Sequence, residues 1–473
     1  MNKKITTTQI KKNIIISVAA QIISLAVSFL MNLILPKYIS EYQYAYWQTF
    51  LLYVGYVGIL HFGLLDGIVL RYSQYDYDEL DKPRVRSQFL FLLSLTSLFA
   101  VLGMLASLRF FSAEMKLVFI LTSIGIITKN LFTYSSYLLQ VTNRISGYAK
   151  LIILNRLLYG ALVILLLILR VQDFYWFCSA ELLADIFGVI VASRQNRGLY
   201  FGKHIHLSDA FPEFRANVSA GIMLMLANWS SFLLTGSARL IVQWRWDELT
   251  FGKMSFSFSV TNLFLNFVSA ISVVLFPSLK RTSEDKLPEL YIQIRNSISP
   301  FLIFILILYY PGCLILHQWL PNYDISLKYL GILLPIIIFT SKASLLTNNY
   351  LKAYRKEKRL LFINIISVVA AFLLFLICAY GFSNLNMLLI CIVLVLAFRC
   401  ILSELEVMKL IGRKDYRQFT EELIMSVVFI LSAVLLKPFL GFVVYLAALM
   451  VYSIFNRRNI ASLLKSIVSR VRH

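Results

Sequence analysis

Lys11-Lys12 followed by Asn13–Leu35, KKNIIISVAAQIISLAVSFLMNLIL, is the stretch that decides the fold class. After two cations the chain runs for about 23 residues without a charge. A helix needs ~20 mostly apolar residues to cross a ~30 Å hydrocarbon core. The apolar part of a cleavable signal is only ~7–15 residues long, so this run reads as a first membrane span that stays in the protein.

Working outward, fourteen such runs are bounded by charge or proline: roughly 13–35, 45–70, 87–108, 115–140, 148–170, 174–193, 217–243, 254–279, 296–316, 328–350, 360–380, 386–408, 420–436 and 438–456. They are numbered spans 1 to 14 here. Across all 473 residues the apolar set makes up 59% and charged residues 15%, against ~25% charged in soluble domains. That composition excludes a disordered, nucleic-acid-binding or disulfide-stapled chain. The five cysteines lie singly inside apolar runs without any C-x-x-C, so they read as small core residues.

The net charge of +21 is the odd companion of so much apolar sequence. With the N-terminus inside, and residues at the span rims counted with the adjoining connection, 32 of the 45 Lys and Arg fall on the termini and even-numbered connections, 8 on odd connections and 5 deep within spans. The positive-inside rule then predicts a multi-pass membrane protein with both termini cytoplasmic. The tail Arg457–His473 sets Ile460, Leu463, Leu464, Ile467, Val468 and Val471 on one helical face among basic residues. That pattern predicts an amphipathic helix on anionic membrane lipids.

An internal repeat is visible. Leu33-Ile34-Leu35 through Glu41 and Tyr44 recurs as Leu240-Ile241-Val242 through Glu248 and Phe251. Thr128-Lys129 ahead of Tyr137-Leu138 recurs as Ser341-Lys342 ahead of Tyr350-Leu351. Both offsets correspond to six spans, which lays spans 1–6 over spans 7–12 and leaves spans 13 and 14 as an appendix. The predicted organisation is an N-lobe over 1–200, a C-lobe over 201–418, helices 13 and 14 over 419–456, and the tail 457–473.

Leu33–Tyr46 (LILPKYISEYQYAY), Val274–Arg281 (VLFPSLKR), Trp319–Tyr323 (WLPNY) and Tyr350–Arg359 (YLKAYRKEKR) resemble the corners of bacterial polysaccharide exporters. The chain is similar to Wzx-type lipid-linked oligosaccharide flippases, of the MOP superfamily that also holds multidrug antiporters of the MATE type. It departs from many members at Gln43 and Lys253, where a Gly-x-Tyr corner is common, and at Ala238-Arg239, where an Asp-Arg pair is common. The resemblance implies an all-α polytopic fold of about 14 transmembrane helices. Two pseudo-symmetric six-helix lobes form a V and work by alternating access. It implies an undecaprenyl-pyrophosphate-linked oligosaccharide repeat unit as cargo, for capsule, O-antigen or exopolysaccharide, with a polysaccharide polymerase and chain-length machinery as partners.

Eight ionisable residues lie well inside spans: Asp66, Lys129, Arg156, Glu181, Asp185, Arg239, Lys342 and Arg399. Facing lipid, each would cost ~2.5–3.5 kcal/mol, so together they exceed the ~5–15 kcal/mol net stability of a domain. They must pair or line a wet cavity. Lys129 heads a polar stripe of Thr133, Ser136, Tyr137 and Gln140, and Lys342 is its repeat partner. One lysine per lobe suggests a clamp on the pyrophosphate, since Lys holds phosphate as a compact point charge. The competing expectation is an ion pair within each lobe, for example with Asp185 or Glu181. Arg156 is a candidate for receiving the head group and Arg239 for releasing it. The plainer alternatives are an arginine bonded to helix carbonyls and an interface anchor beside Trp244 and Trp246. Arg399 is expected to lean on Glu404 of its own span. Glu181 and Asp185, four residues apart on one helical face, are candidates for proton or sodium coupling, as is Asp66.

Asp76-Tyr77-Asp78 reads as a solvated turn, and His204-Ile205-His206 lacks a third ligand for a metal. There is no G-x-x-x-x-G-K-[ST], so no nucleotide-driven pump and no other cofactor is expected. The function expected is a secondary transporter, not an enzyme. Its rivals are a multidrug or other amphiphile antiporter and a membrane-embedded polysaccharide polymerase or glycosyltransferase. An enzyme of that kind needs catalytic groups on a substantial outer loop, and these odd connections are short and nearly free of acids.

Overall fold

The computed structural model describes residues 7–281, 284–413 and 415–457. Apart from Arg457, the predicted amphipathic tail lies outside them. Every regular element among the described residues is helical. Among the described residues eleven helices are long and apolar enough to cross a membrane, and thirteen when each of two bent pairs counts as one span. The helix Glu248–Arg281 occupies the remaining predicted span, number 8. The chain is a multi-pass membrane protein.

The two bends have local causes. Span 2 is Glu41–His61 joined to Leu64–Tyr72 at 57°. Phe62 and Gly63 at the joint take φ of 50° and 85°, a left-handed conformation that ends a helix and is natural for glycine. His61 Nδ1 accepts a hydrogen bond from the Gly63 N–H at 3.1 Å and so ties up one freed backbone donor. Span 10 is Pro321–Leu333 joined to Ile336–Ala353 at 46°. Pro335 sits between the halves, lacking the N–H a continuous helix requires.

The chain divides into two compact units, Met1–Trp229 and Ser230–His473. The division falls inside span 7, the single helix Leu207–Arg245, rather than ahead of it at 200/201. Residues 207–229 therefore pack as part of the first unit. Glycine explains why. A Cβ on Gly67 would land on the Asn217 backbone, and one on Gly221 on the backbone of Gly63 and Gly67. Small residues on facing membrane helices let backbones touch in this way.

Contacts within each unit confirm that connections alternate between two faces. In the first unit the Arg144 guanidinium lies 3.9 Å from the Tyr77 ring centre and donates to the Asn196 side chain, drawing three even connections together. On the odd face, Gln43 Oε1 accepts from the Phe174 N–H at 2.8 Å. This bond stitches the start of span 2 to the start of span 6. In the second unit, Arg245 donates to Ser383 Oγ at 2.9 Å across two odd connections.

Spans 13 (Arg417–Leu435) and 14 (Pro438–Phe455) are built into the second unit instead of standing beside it. Tyr310 and Ser432 share a 2.7 Å hydrogen bond, and Tyr445 donates to the Ile303 carbonyl at 2.9 Å. Gly441 meets Ser432 and Tyr310 where a Cβ would collide.

Candidate functional site

In the first unit Lys129 points from span 4 toward span 6. Its Nζ lies 2.5 Å from Glu181 Oε1 and 2.9 Å from Asp185 Oδ2. The i, i+4 spacing of the two acids puts both on the face that receives it. Asn155 of span 5 donates to Asp185 Oδ1 at 2.9 Å. The neighbouring Arg156 is partly exposed.

The second unit repeats the device more deeply. Lys342 has no exposed side-chain surface, and its Nζ lies 2.5 Å from Glu404 Oε2 and 2.8 Å and 2.9 Å from the Glu422 oxygens. Glu404 also accepts from Arg295 Nε, and Arg295 reaches Asp415 Oδ2 at 2.7 Å. Spans 9, 10, 12 and 13 are tied by this one cluster. In both units a lysine of the fourth helix of the repeat (spans 4 and 10) meets an acid of the sixth (spans 6 and 12), so the repeat extends to its electrostatics.

This geometry does not offer the expected diphosphate clamp. An ammonium has three donors, and Lys342 spends them on three carboxylate oxygens inside the protein. Lys129, 23% exposed at its side chain, is likewise held between two acids of its own unit. Bringing either to a phosphate means leaving carboxylates buried without a partner, which is costly in low dielectric.

The expected net positive charge inside the spans also shrinks. Arg295 stands one residue before the apolar run 296–316, yet it is completely buried. Glu404 and Glu422, toward the ends of their runs, are buried too. Six bases then face five acids where the sequence suggested five and three. A helical projection of spans 12 and 13 would have exposed the two acids, whereas Arg295 carried no signal.

The remaining candidates are scattered. Asp66, just past the bend in span 2, is buried with His61 Nε2 at 3.9 Å and Asn228 Nδ2 at 3.5 Å. His61 thus faces Asp66 through Nε2 while its Nδ1 holds the Gly63 N–H at the bend. Arg239 reaches Ser255 Oγ at 3.4 Å and lies 5.8 Å from the Phe251 ring centre. Arg399 does not lean on Glu404. Five residues on a helix are ~140° apart, and Glu404 faces Lys342 and Arg295 instead. Arg399 donates to Asn364 Oδ1 at 2.7 Å and to Ser231 Oγ at 3.2 Å.

A cluster on the even face of the first unit has no counterpart among the sequence candidates. Glu213 of span 7 accepts from Arg71 at 2.8 Å and 3.2 Å and from the Tyr72 hydroxyl at 2.8 Å. Arg71 also donates to Asn217 Oδ1 at 2.6 Å. A cavity of about 370 Å³ adjoins them, lined also by Gln74, Tyr75, Glu79 and Arg84. Glu213→Ala should strand Arg71 and Tyr72 and lower stability by about 1–3 kcal/mol, read as the melting temperature of the purified chain. An unchanged melt would show that the cluster holds nothing.

Neither a family model nor a curated protein sequence matches the chain. Solved structures do. The lipid II flippase MurJ in an inward closed conformation matches with a TM-score of 0.65 at 14% identity, over 94% of this chain and all of that one. An inward-facing multidrug resistance MATE transporter matches at 0.61 and 13% identity, over 83% of this chain and 98% of that one. The fold is that of MOP-superfamily transporters. A member from Pyrococcus furiosus matches at 0.51 and 13% identity, over 85% of this chain and 96% of that one.

Proposed function

We propose that the chain is a flippase that carries undecaprenyl-pyrophosphate-linked oligosaccharide repeat units across the bacterial cytoplasmic membrane, by alternating access, for surface polysaccharide. The supporting observation is how much of the chain each kind of MOP structure accounts for. The multidrug transporter leaves about a sixth of this chain unmatched, and the lipid II flippase leaves 6%. Spans 13 and 14 are wired into the core through Glu422, Ser432 and Tyr445, so a fold that accounts for nearly the whole chain is the better guide. The even face is the cytoplasmic one, by its excess of basic residues.

The cargo arrives at the even face and leaves at the odd one, and a polymerase with its chain-length partner receives it there. Asp66 is the coupling residue of this reading, because Glu181 and Asp185 already share Lys129 as a cationic partner, whereas Asp66, beside His61 and Asn228, pairs with no lysine or arginine among the described residues. Asp66→Asn should make transport in reconstituted vesicles insensitive to collapsing the proton and sodium gradients in turn. Gradient dependence equal to the parent's would remove Asp66 from that role.

Deleting the gene tests the function itself. Lipid-linked repeat units should build up on the inner leaflet while surface polymer disappears. Normal surface polymer with altered drug sensitivity would point to an amphiphile antiporter. Surface chains cut to single repeat units would point to a polymerase.

A further inference from the structure

The membrane-embedded cations of the second unit are treated unequally. Lys342 faces two carboxylates and Arg295 faces two. Arg399, near the middle of span 12 and only 5% exposed, meets no carboxylate among the described residues. Its guanidinium has five N–H donors in a planar fork. One goes to the Asn364 amide oxygen and one to the Ser231 hydroxyl, leaving three without an acceptor among the described residues. Asn364 is buried and has its own side-chain N–H directed at Ser231 Oγ at 3.2 Å. Ser231 itself is exposed, so the cluster has an open side.

A full positive charge taken from water and given only neutral dipoles is poorly compensated. Inside a membrane, such a residue ordinarily marks a ligand or a counter-ion that completes it. The carboxylate that would have silenced it is close in sequence: Glu404 lies five residues on, yet it is turned away to Lys342 and Arg295. The unused edge of the guanidinium fits a phosphate, which can take two parallel N–H bonds from one arginine.

We infer that Arg399, with Asn364 and Ser231 as its positioning partners, is a mid-membrane site for the phosphate-bearing head group of a lipid. This rests on the flippase reading and moves the head-group site away from Lys129 and Lys342. Asn364 holds the guanidinium plane through Nε, and Ser231 marks the side from which the anion enters. The apolar chain of the ligand is left to the surrounding lipid.

The test is titration calorimetry on the full chain in nanodiscs, with farnesyl diphosphate, inorganic diphosphate, farnesol and the cationic amphiphile dodecyltrimethylammonium as probes. The parent should bind farnesyl diphosphate, and Arg399→Gln should weaken that binding at least tenfold while leaving farnesol unchanged. Asn364→Asp is the decisive second variant. It is nearly isosteric and supplies the missing carboxylate, so the protein should melt at the same or a higher temperature yet bind farnesyl diphosphate at least tenfold more weakly. A purely structural arginine would be stabilised by that change with no loss of binding, and that outcome overturns the site. Inorganic diphosphate bound as tightly as the farnesyl compound would overturn a lipid as the ligand. If the parent binds only cationic amphiphiles, the flippase reading falls along with the site. If parent and variants all bind farnesyl diphosphate equally, only the site falls.

Discussion

Replacing Lys342 with Met should cost about 3–5 kcal/mol, the usual penalty for removing one partner of a buried ion cluster. That is a large share of a ~5–15 kcal/mol net stability, so the purified protein should melt far below the parent or fail to accumulate. The loss comes less from the lysine than from what it leaves behind. Glu422 keeps no cation in the cluster, and Glu404 keeps only Arg295. The double variant Lys342→Met, Glu422→Gln should therefore recover more than half of the lost stability, because the Arg295–Glu404–Asp415 group survives it. Lys129→Met should be milder, since that lysine is part-exposed and water can reach its acids. A Lys342→Met protein that melts with the parent would refute the account.

Gly221→Leu is the second large effect expected. Its side chain would have to occupy space already filled by the backbone of Gly63 and Gly67. The later half of span 2 and the first part of span 7 must separate, and the bonds from Arg71 and Tyr72 to Glu213 go with them. The expected cost is about 3 kcal/mol, at the upper end for overpacking and no smaller than that of Glu213→Ala. Leu64 is completely buried beside this contact. The thiol introduced by Leu64→Cys should therefore be inert to thiol reagents in the parent background and reactive alongside Gly221→Leu. The native cysteines are all buried and give little background. A thiol that stays inert in the double variant, with an unchanged melt, would show that the glycine contact does not hold the helices together.

The apolar runs and the basic asymmetry are enough to read the fold class, because a bilayer imposes length and sidedness on sequence directly. Neither bend emerges from those runs, although Phe62-Gly63 and Leu334-Pro335 carry local signals: a helix-ending glycine in one and a proline in the other. Lys129 and Lys342 stand out in the sequence as deep and equivalent, but depth alone does not say which way a side chain points. The partner of Lys129 is legible in the i, i+4 acids of span 6. For Lys342 the repeat points to Glu404 of span 12 but not to Glu422, which comes from the helix pair that the repeat leaves over as an appendix. Arg295 and Glu213 sit at the rims of apolar runs and look like ordinary interfacial charges. Only packing across helices distant in sequence brings them inward.

The repeat and the folded unit do not end at the same residue, and this sets an order of assembly as the chain is made. Spans 1–6 are complete at Gln195, yet the first unit still lacks Glu213, Asn217 and Gly221. Domains generally fold as they emerge during synthesis. Here the first unit must wait for the opening turns of the second repeat before Arg71 finds its acid and Gly67 its neighbour. A ribosome that pauses between Gln195 and Gly221 leaves an unfinished body in the membrane, and a first half expressed separately and cut at 200/201 would lack all of span 7, including the residues 207–229 that complete its unit.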